Sequence, residues 1–315
     1  MMDVVALGEL LIDFTALGSD AQGYPTLAAH PGGAPANFLA AVAKLGGSAG
    51  FLGKVGDDPF GHLLRKTLQE AGIDTRGLIT DPTVFTTLAF VTLDSRGDRD
   101  FSFARKPGAD TGLAFEELEL SLIDEAKVFH FGTLSLTHEP ARTATQKAVA
   151  YAREKGKLIS FDPNLRLPLW TSAEAAREQI LWGLTQADLV KLSREEGEFL
   201  FDLSPEHCAR HILKDYGCKL VYVTCGEEGC WFDNGAARGM EPGLQGITPI
   251  DTTGAGDIFG GCALRSLLQT GLAPEALTEA SLRRLVRFAN TAAGLSTTRP
   301  GGLSSVPSLD EIHQY

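Results

Sequence analysis

Asp257 closes the run Ile250-Asp251-Thr252-Thr253-Gly254-Ala255-Gly256-Asp257, and the small and apolar residues that follow, 258–264, suit a buried helix. Two glycines at a helix start let the backbone turn tightly, so that unpaired N–H groups and the positive end of the helix dipole converge on one point. Residues 254–256 are therefore a candidate anion site. A carboxylate one step into that turn is electrostatically unfavourable beside an anion unless it takes a proton from something, which suits a general base for a hydroxyl nucleophile. First-turn acids also commonly do no more than complement the helix dipole. The glycine spacing favours the chemical role. Nothing in the chain fits Gly-x4-Gly-Lys-Ser/Thr, and Phe259 stands where a dinucleotide fingerprint needs its third glycine, so the anion site is of neither of those kinds.

A second glycine cluster, Pro31-Gly32-Gly33-Ala34-Pro35-Ala36-Asn37, opens an apolar helix containing Phe38, Leu39, Val42 and Leu45. Asn37 falls in its first turn, where its amide can donate and accept at once and could take a sugar hydroxyl reached past the bare Gly32 and Gly33. An ordinary helix cap would use the same residue types. The third candidate, Phe161-Asp162-Pro163-Asn164-Leu165-Arg166, follows a strand directly, which in an open α/β sheet is the ligand-binding end. Asp162, Asn164 and Arg166 could serve a cation, a sugar or a phosphate, or form a plain Asp-Pro-Asn turn.

These segments need a scaffold, and the alternation of the chain supplies one. Short β-branched and aromatic runs at 4–7, 50–54, 128–132, 158–162, 189–192 and 220–224 read as core strands. Between them, 35–45, 60–71, 140–154, 173–185 and 205–216 carry helical period, several opening with proline. The pattern predicts an α/β fold of three layers, a parallel sheet covered by helices. Two strand-like runs, 86–93 and 100–104, are joined by the turn-forming Asp94-Ser95-Arg96-Gly97-Asp98 and should form a hairpin outside that sheet. Residues 14–31 could add further strands, giving a small β lid of 14–31 and 86–105 inserted in a single domain spanning 1–315.

The 315 residues are 43% hydrophobic and 22% charged, which excludes disorder as the main state. A formal charge of −12 disfavours phosphodiester backbones and anionic lipid, so neither nucleic acid nor a membrane is expected as a partner. No apolar run reaches the roughly 18 residues of a spanning helix and no basic-then-apolar leader is seen, so the expectation is cytoplasmic. Five cysteines without a Cys-x-x-Cys pair read as reduced, mostly buried thiols, and the histidines show no His-Glu-x-x-His.

Together these residues resemble the ribokinase-like, or PfkB, family of sugar kinases over essentially the whole chain. Residues 31–37 resemble its first signature and Asp-Thr-Thr-Gly-Ala-Gly-Asp at 251–257 its second. The fructokinase branch is the most similar, through Ala6-Leu7-Gly8-Glu9-Leu10-Leu11-Ile12-Asp13-Phe14, residues 160–170, Val190-Lys191-Leu192-Ser193 with Glu196, and Val223-Thr224-Cys225-Gly226 with Gly229. The resemblance implies a Rossmann-like core with a β-sheet lid and ATP-dependent phosphorylation of a sugar hydroxyl, fructose giving fructose 6-phosphate. A related kinase for 2-keto-3-deoxygluconate, ribose or aminoimidazole riboside is the alternative, and a non-catalytic sugar sensor the remote one.

Carried over by position, the resemblance makes Asp257 the base and the N–H groups of Gly254, Ala255 and Gly256 the anion hole. Asp13, Gly32, Gly33 and Asn37 would hold sugar hydroxyls, with Arg105 reaching from the lid and Asp162, Asn164 and Arg166 on the substrate side. Lys191, Ser193, Thr224, Gly226, Gly229 and Asn290 would line the ATP site together with Gly254 and Gly256. Glu196 would organise Mg²⁺ through water. A monovalent cation, K⁺ in particular, is implied at Asp251, Thr253, Ser296, Arg299, Gly301 and Ser305, in part through carbonyls. Two copies could pair through the lid. One departure is Phe103-Ala104-Arg105, which has alanine where fructokinases commonly carry an aromatic before the lid arginine.

Overall fold

The computed structural model describes residues 1–93 and 99–315. Thirteen strands are seen among them: β1 (Met2–Leu7), β2 (Leu11–Ser19), β3 (Pro25–Gly32), β4 (Ala49–Gly56), β5 (Ile73–Asp81), β6 (Leu88–Leu93), β7 (Arg99–Ala104), β8 (Ala126–Gly132), β9 (Leu158–Asp162), β10 (Leu189–Ser193), β11 (Leu220–Thr224), β12 (Cys230–Asp233) and β13 (Arg238–Glu241). Nine form one sheet in the order β13-β12-β11-β10-β9-β8-β1-β4-β5. Its pairings from β5 to β11 are parallel, and β12 and β13 close one edge antiparallel. All six residues of β1 are buried, as expected for a parallel strand covered on both faces.

The α-helices are α1 (Ala34–Lys44), α2 (Pro59–Glu70), α3 (Leu120–Glu125), α4 (Ala141–Glu154), α5 (Ala173–Gln186), α6 (Arg194–Phe201), α7 (Pro205–Tyr216), α8 (Ala255–Thr270), α9 (Glu279–Ser296) and α10 (Leu309–Ile312). Alternation along the strands splits the core in two. Val4, Ala6 and Val128 face α1, α8 and α9, whereas Val5, Leu7, Phe129 and Phe131 face α4, α5 and α7. This is the three-layer arrangement expected from the sequence. The sequence reading named neither β5, β12 and β13 nor α9. Strand β5 mixes buried and polar residues, and β12 and β13 have four residues each, so none presents the continuous apolar run that marked the others.

The second sheet has the order β3-β2-β6-β7. Strands β2 and β6 run parallel, flanked by antiparallel β3 and β7. The predicted hairpin thus belongs to a sheet of its own, and β2 begins at Leu11, before the stretch 14–31 flagged in the sequence. The turn 94–98 lies outside the described residues. Because β2 leaves β1 after only three residues and β3 runs straight into α1, the small sheet stands beside the carboxyl ends of the central strands. Chain direction changes there, and the crevice of an open α/β sheet forms at such a point.

Candidate active site

A cavity of about 630 Å³ opens at this end of the sheet, lined by residues of the β1–β2 corner, the start of α1, the turn after β9, the end of β10 and the start of α8. At its floor α8 begins at Gly254, whose φ of 76° is the left-handed conformation that glycine adopts without strain. A Cβ at Gly254 would come within 3.0 Å of both Asn37 Nδ2 and Gly302 Cα, and one at Gly256 would stand 2.8 Å from Lys191 Nζ. Bare backbone is therefore needed where the helix start faces the cavity. The Ala255 N–H turns back to the Thr252 carbonyl at 3.3 Å, a long contact.

Asp257 lies in the first turn of α8 and is only 6% exposed. Its Oδ2 accepts from Asn37 Nδ2 and its Oδ1 from Asn164 Nδ2, both at 2.8 Å. Asn164 reaches it from a backbone with φ of 43°, a left-handed geometry that asparagine tolerates. The Asn164 N–H donates to Asp162 Oδ1 at 3.2 Å, which fixes that turn. Asp162 in turn accepts from Lys191 Nζ at 2.9 Å. Burial, then the neighbouring Asp162 charge, push the Asp257 carboxyl up to about 7, against the pull of Lys191, Asn37 and Arg166. Burial works against the Lys191 ammonium, but the carboxylates of Asp162, Glu196 and Asp257 outweigh it and hold the lysine charged. The result is one base titrating near neutrality beside one permanent cation.

The sequence-predicted residues divide by position. Asp13, Gly33, Asn37, Asn164, Arg166, Lys191, Ser193, Glu196, Thr253, Gly254, Gly256 and Asp257 line the cavity. Gly32 packs against Asp13, since a Cβ there would meet Oδ2 of that residue. Asp162 and Asn164 contact protein groups, Lys191 and Asp257, and so order the site from within. Arg105 is placed differently from the reach towards sugar that the resemblance implies. It is 2% exposed and outside the lining, its guanidinium donating to Asp110 Oδ2 at 2.8 Å, Thr137 Oγ1 at 2.8 Å and the Leu134 carbonyl at 2.9 Å. The aromatic wall comes instead from Phe103, one place before Ala104. Glu9 also lines the cavity. The sequence carried a signal for it, an acid directly after the first strand, but no role followed.

Thr224, Gly226, Gly229 and Asn290 lie outside this lining. Register places Thr224 beside Ser193 at the ends of β11 and β10, so they continue the same sheet edge. Gly229, at φ 111°, leaves no room for a Cβ, which would fall 2.1 Å from the Glu241 carbonyl oxygen. Asn290 donates to the carbonyls of Glu241 and Pro242 at 2.9 and 3.0 Å, and so holds the backbone beyond β13. Glu196 accepts the Leu165 and Ser193 N–H groups, each at 2.7 Å. Burial raises its pKa, Lys191 opposing.

Among the described residues no three His, Cys, Asp or Glu side chains cluster as a metal site. Around Asp251, the Thr253 N–H donates to Oδ1 at 2.8 Å and the Gly301 N–H to Oδ2 at 2.9 Å, which draws the loop 299–305 against the start of α8. Ser296 and Ser305 bond to the Ala293 and Gly302 carbonyls, and the Arg299 side chain pairs with Glu311. What these loops can present to a cation is therefore mainly backbone oxygen, apart from Asp251.

Residues 1–309 match the model of the pfkB family carbohydrate kinases. The chain is 44% identical over 308 residues to the probable fructokinase-3 of Arabidopsis thaliana, covering 97% of this chain and 88% of that protein. In structure it is similar to the fructokinase with bound ATP from Xylella fastidiosa, with a TM-score of 0.88, 32% identity and coverage of 100% and 98% of the two chains. A double mutant of the fructokinase from Vibrio cholerae O395, in a fructose-, ADP- and potassium-bound form, gives 0.87, 32%, 100% and 98%.

The raised carboxyl makes a stability prediction with a definite sign. With a folded value of about 7 against 3.8 ordinarily, ionised Asp257 works against the fold. The stability of the protonated form is full below about pH 4 and is lost as pH rises to about 7. Asp257→Asn should therefore melt about 5 °C above the wild type at pH 8, with the gap narrowing steadily towards pH 4. Differential scanning fluorimetry across pH checks this; a gap that is absent at pH 8 contradicts it.

Proposed function

Because the chain belongs to the pfkB family of carbohydrate kinases, we propose that it transfers the γ-phosphoryl group of ATP to a hydroxyl of fructose, giving fructose 6-phosphate. The observation that carries the chemistry is Asp257, a buried carboxylate titrating near 7 in the first turn of a glycine-started helix. Phosphoryl transfer asks a protein for positioning and for stabilisation of developing charge. The first N–H groups of a helix have no intrahelical partner, so Gly254 and Gly256 can offer donors where that charge develops, and the Ala255 N–H would join them on leaving its long contact with the Thr252 carbonyl. Lys191 adds a fixed positive charge 2.8 Å from where a Cβ of Gly256 would lie.

Asp257, as base, takes the proton of the attacking hydroxyl. Asn37 and Asn164 hold its carboxylate in one orientation, so the proton is received at a defined oxygen. The sugar is read by the β1–β2 corner and the start of α1. Glu9, Asp13 and Asn37 border that end of the cavity, and their acceptors suit neutral hydroxyls. Arg105, the cation expected there, is committed to Asp110. Two acids at that end disfavour a substrate bearing its own carboxylate, which favours fructose over 2-keto-3-deoxygluconate. Phe103 and Leu134 supply apolar surface against which a sugar ring can pack.

ATP supplies the transferable phosphoryl group, with Mg²⁺ to offset the charge of its phosphates. The bare glycine cradle beside Lys191 fits phosphate, and a carboxyl destabilised by burial at Glu196 fits a nearby cation held through water. Ser193 and Thr224 at the ends of β10 and β11, Gly226 and Gly229 in the turn after β11, and Asn290 of α9 would take the nucleoside part. Asp251, Thr253, Ser296, Arg299, Gly301 and Ser305 would hold K⁺, largely through the backbone of the two loops that Asp251 joins. Arg166, on the cavity wall, would face the substrates. Two copies would pair through the small sheet, where Leu17, Tyr24 and Leu27 are exposed on β2, β3 and the turn between them. A cytoplasmic setting fits five buried, unpaired cysteines.

ADP release measured with ATP and Mg²⁺, with and without K⁺, over fructose, ribose, 2-keto-3-deoxygluconate and aminoimidazole riboside tests the reading. Fructose should give the highest kcat/KM, K⁺ should raise the rate, and release without sugar should be negligible because the closure on sugar that completes the site and excludes water does not then take place. A sugar-independent rate equal to the sugar-dependent one would sink it. Asp257→Asn should bind both substrates by calorimetry yet lose about 10²–10⁴ in kcat. Wild-type turnover in that variant removes Asp257 as the base.

A further inference from the structure

Glu9 lines the cavity while only 3% exposed, and its burial calls for a reason beyond bordering the sugar. Helix α1, which carries Asn37, has no side-chain cap of its own: its N-cap is Gly33, at φ 114° and ψ 124°, and its first turn contains no acid. The acceptor arrives from 25 residues away, where Glu9 Oε1 takes the Ala34 N–H at 2.8 Å. Backbone packing locks the same joint. A Cβ on Gly33 would stand 2.4 Å from the Glu9 carbonyl oxygen, and one on Gly8 2.5 Å from Pro35 Cγ. From Ala34 to Asn37 is less than one helical turn, and Asn37 donates to Asp257 at 2.8 Å.

We propose that Glu9 is a positioning residue for the transfer: by capping α1 from the β1–β2 corner it holds Asn37 against Asp257, and so fixes the orientation of the base. The proposal rests on the reading of Asp257 given above. Its neighbours bear on how it is tested. Burial pushes the Glu9 carboxyl up to about 7, with Asp110 adding to the rise and Arg105 opposing it. A carbonyl-type oxygen accepts an N–H whether or not the group is ionised, so reach matters here rather than charge. Gln keeps the reach without the charge, and Asp keeps the charge but is one methylene too short.

Glu9→Gln and Glu9→Asp form the test, both conservative and both to be confirmed as folded by melting. In Glu9→Gln, the Ala34 amide should remain protected from hydrogen exchange and the acid limb of kcat should stay where the wild type has it, whatever the change in KM for fructose. In Glu9→Asp, kcat should fall 10- to 100-fold with KM for ATP unchanged. Its acid limb should move to higher pH, because Asp257 loses the Asn37 hydrogen bond that lowers its pKa, and the Ala34 amide should exchange faster. Equal behaviour of the two variants, or the reverse order, overturns the proposal. The amide exchange reads the cap without substrate. Wild-type inactivity on fructose would therefore strike the functional reading, and an unprotected Ala34 in Glu9→Gln would strike this one.

Discussion

The Asp257 carboxylate is held between two side-chain amides, each 2.8 Å from one of its oxygens, and the rest of the site is arranged around that contact. Its three members come from separate parts of the chain: Asn37 from the helix after β3, Asn164 from the turn after β9, and Asp257 from the start of α8. Bringing them together requires the strand order of the large sheet, since β1 and β9 are both neighbours of β8. It also requires three backbone positions outside the ordinary range, Gly33, Asn164 and Gly254, all with positive φ. Glycine takes such geometry without strain and asparagine tolerates it, which is why these residue types stand at the three positions.

Burial is what makes this acid useful and what makes it expensive. An exposed aspartate titrates near 3.9 and is a poor acceptor of a hydroxyl proton. Taken out of water and set beside Asp162, Asp257 rises to about 7, where it can hold and release a proton near neutral pH. Lys191 limits the rise, and Asp162 holds Lys191 at 2.9 Å. Asp162 therefore acts on Asp257 twice, directly through its charge and indirectly by placing the cation. Beneath this layer His130, buried and stacked on Phe38 with ring centroids 3.8 Å apart, stays neutral because burial pushes its pKa down to about 3. The wall behind the site thus adds no charge of its own.

Much of this was legible in the sequence, for identifiable reasons. The parallel strands announced themselves because strands buried on both faces are continuous apolar runs, and the helices at 59–70 and 205–216 because proline opened them. The tight start of α8 was legible because glycine suits the backbone of Gly254. The pairing of Arg105 with Asp110 was not legible because an arginine at a strand end looks the same in sequence whether it faces a ligand or a buried acid. Glu9 was passed over because its partner, the Ala34 N–H, is a backbone group 25 residues away that no side-chain pattern records. The pairing of Asn164 with Asp257 across 93 residues was hidden for the same reason: the turn could be read, its partner could not.

The central claim is that a buried carboxyl, lifted by its surroundings, is the base. A site-resolved ¹³C titration of the aspartate carboxyls by NMR tests it without any assumption about substrate. The account predicts one aspartate with a midpoint near 7 that disappears in Asp257→Asn. An Asp257 titrating near 4, like an exposed acid, would contradict it.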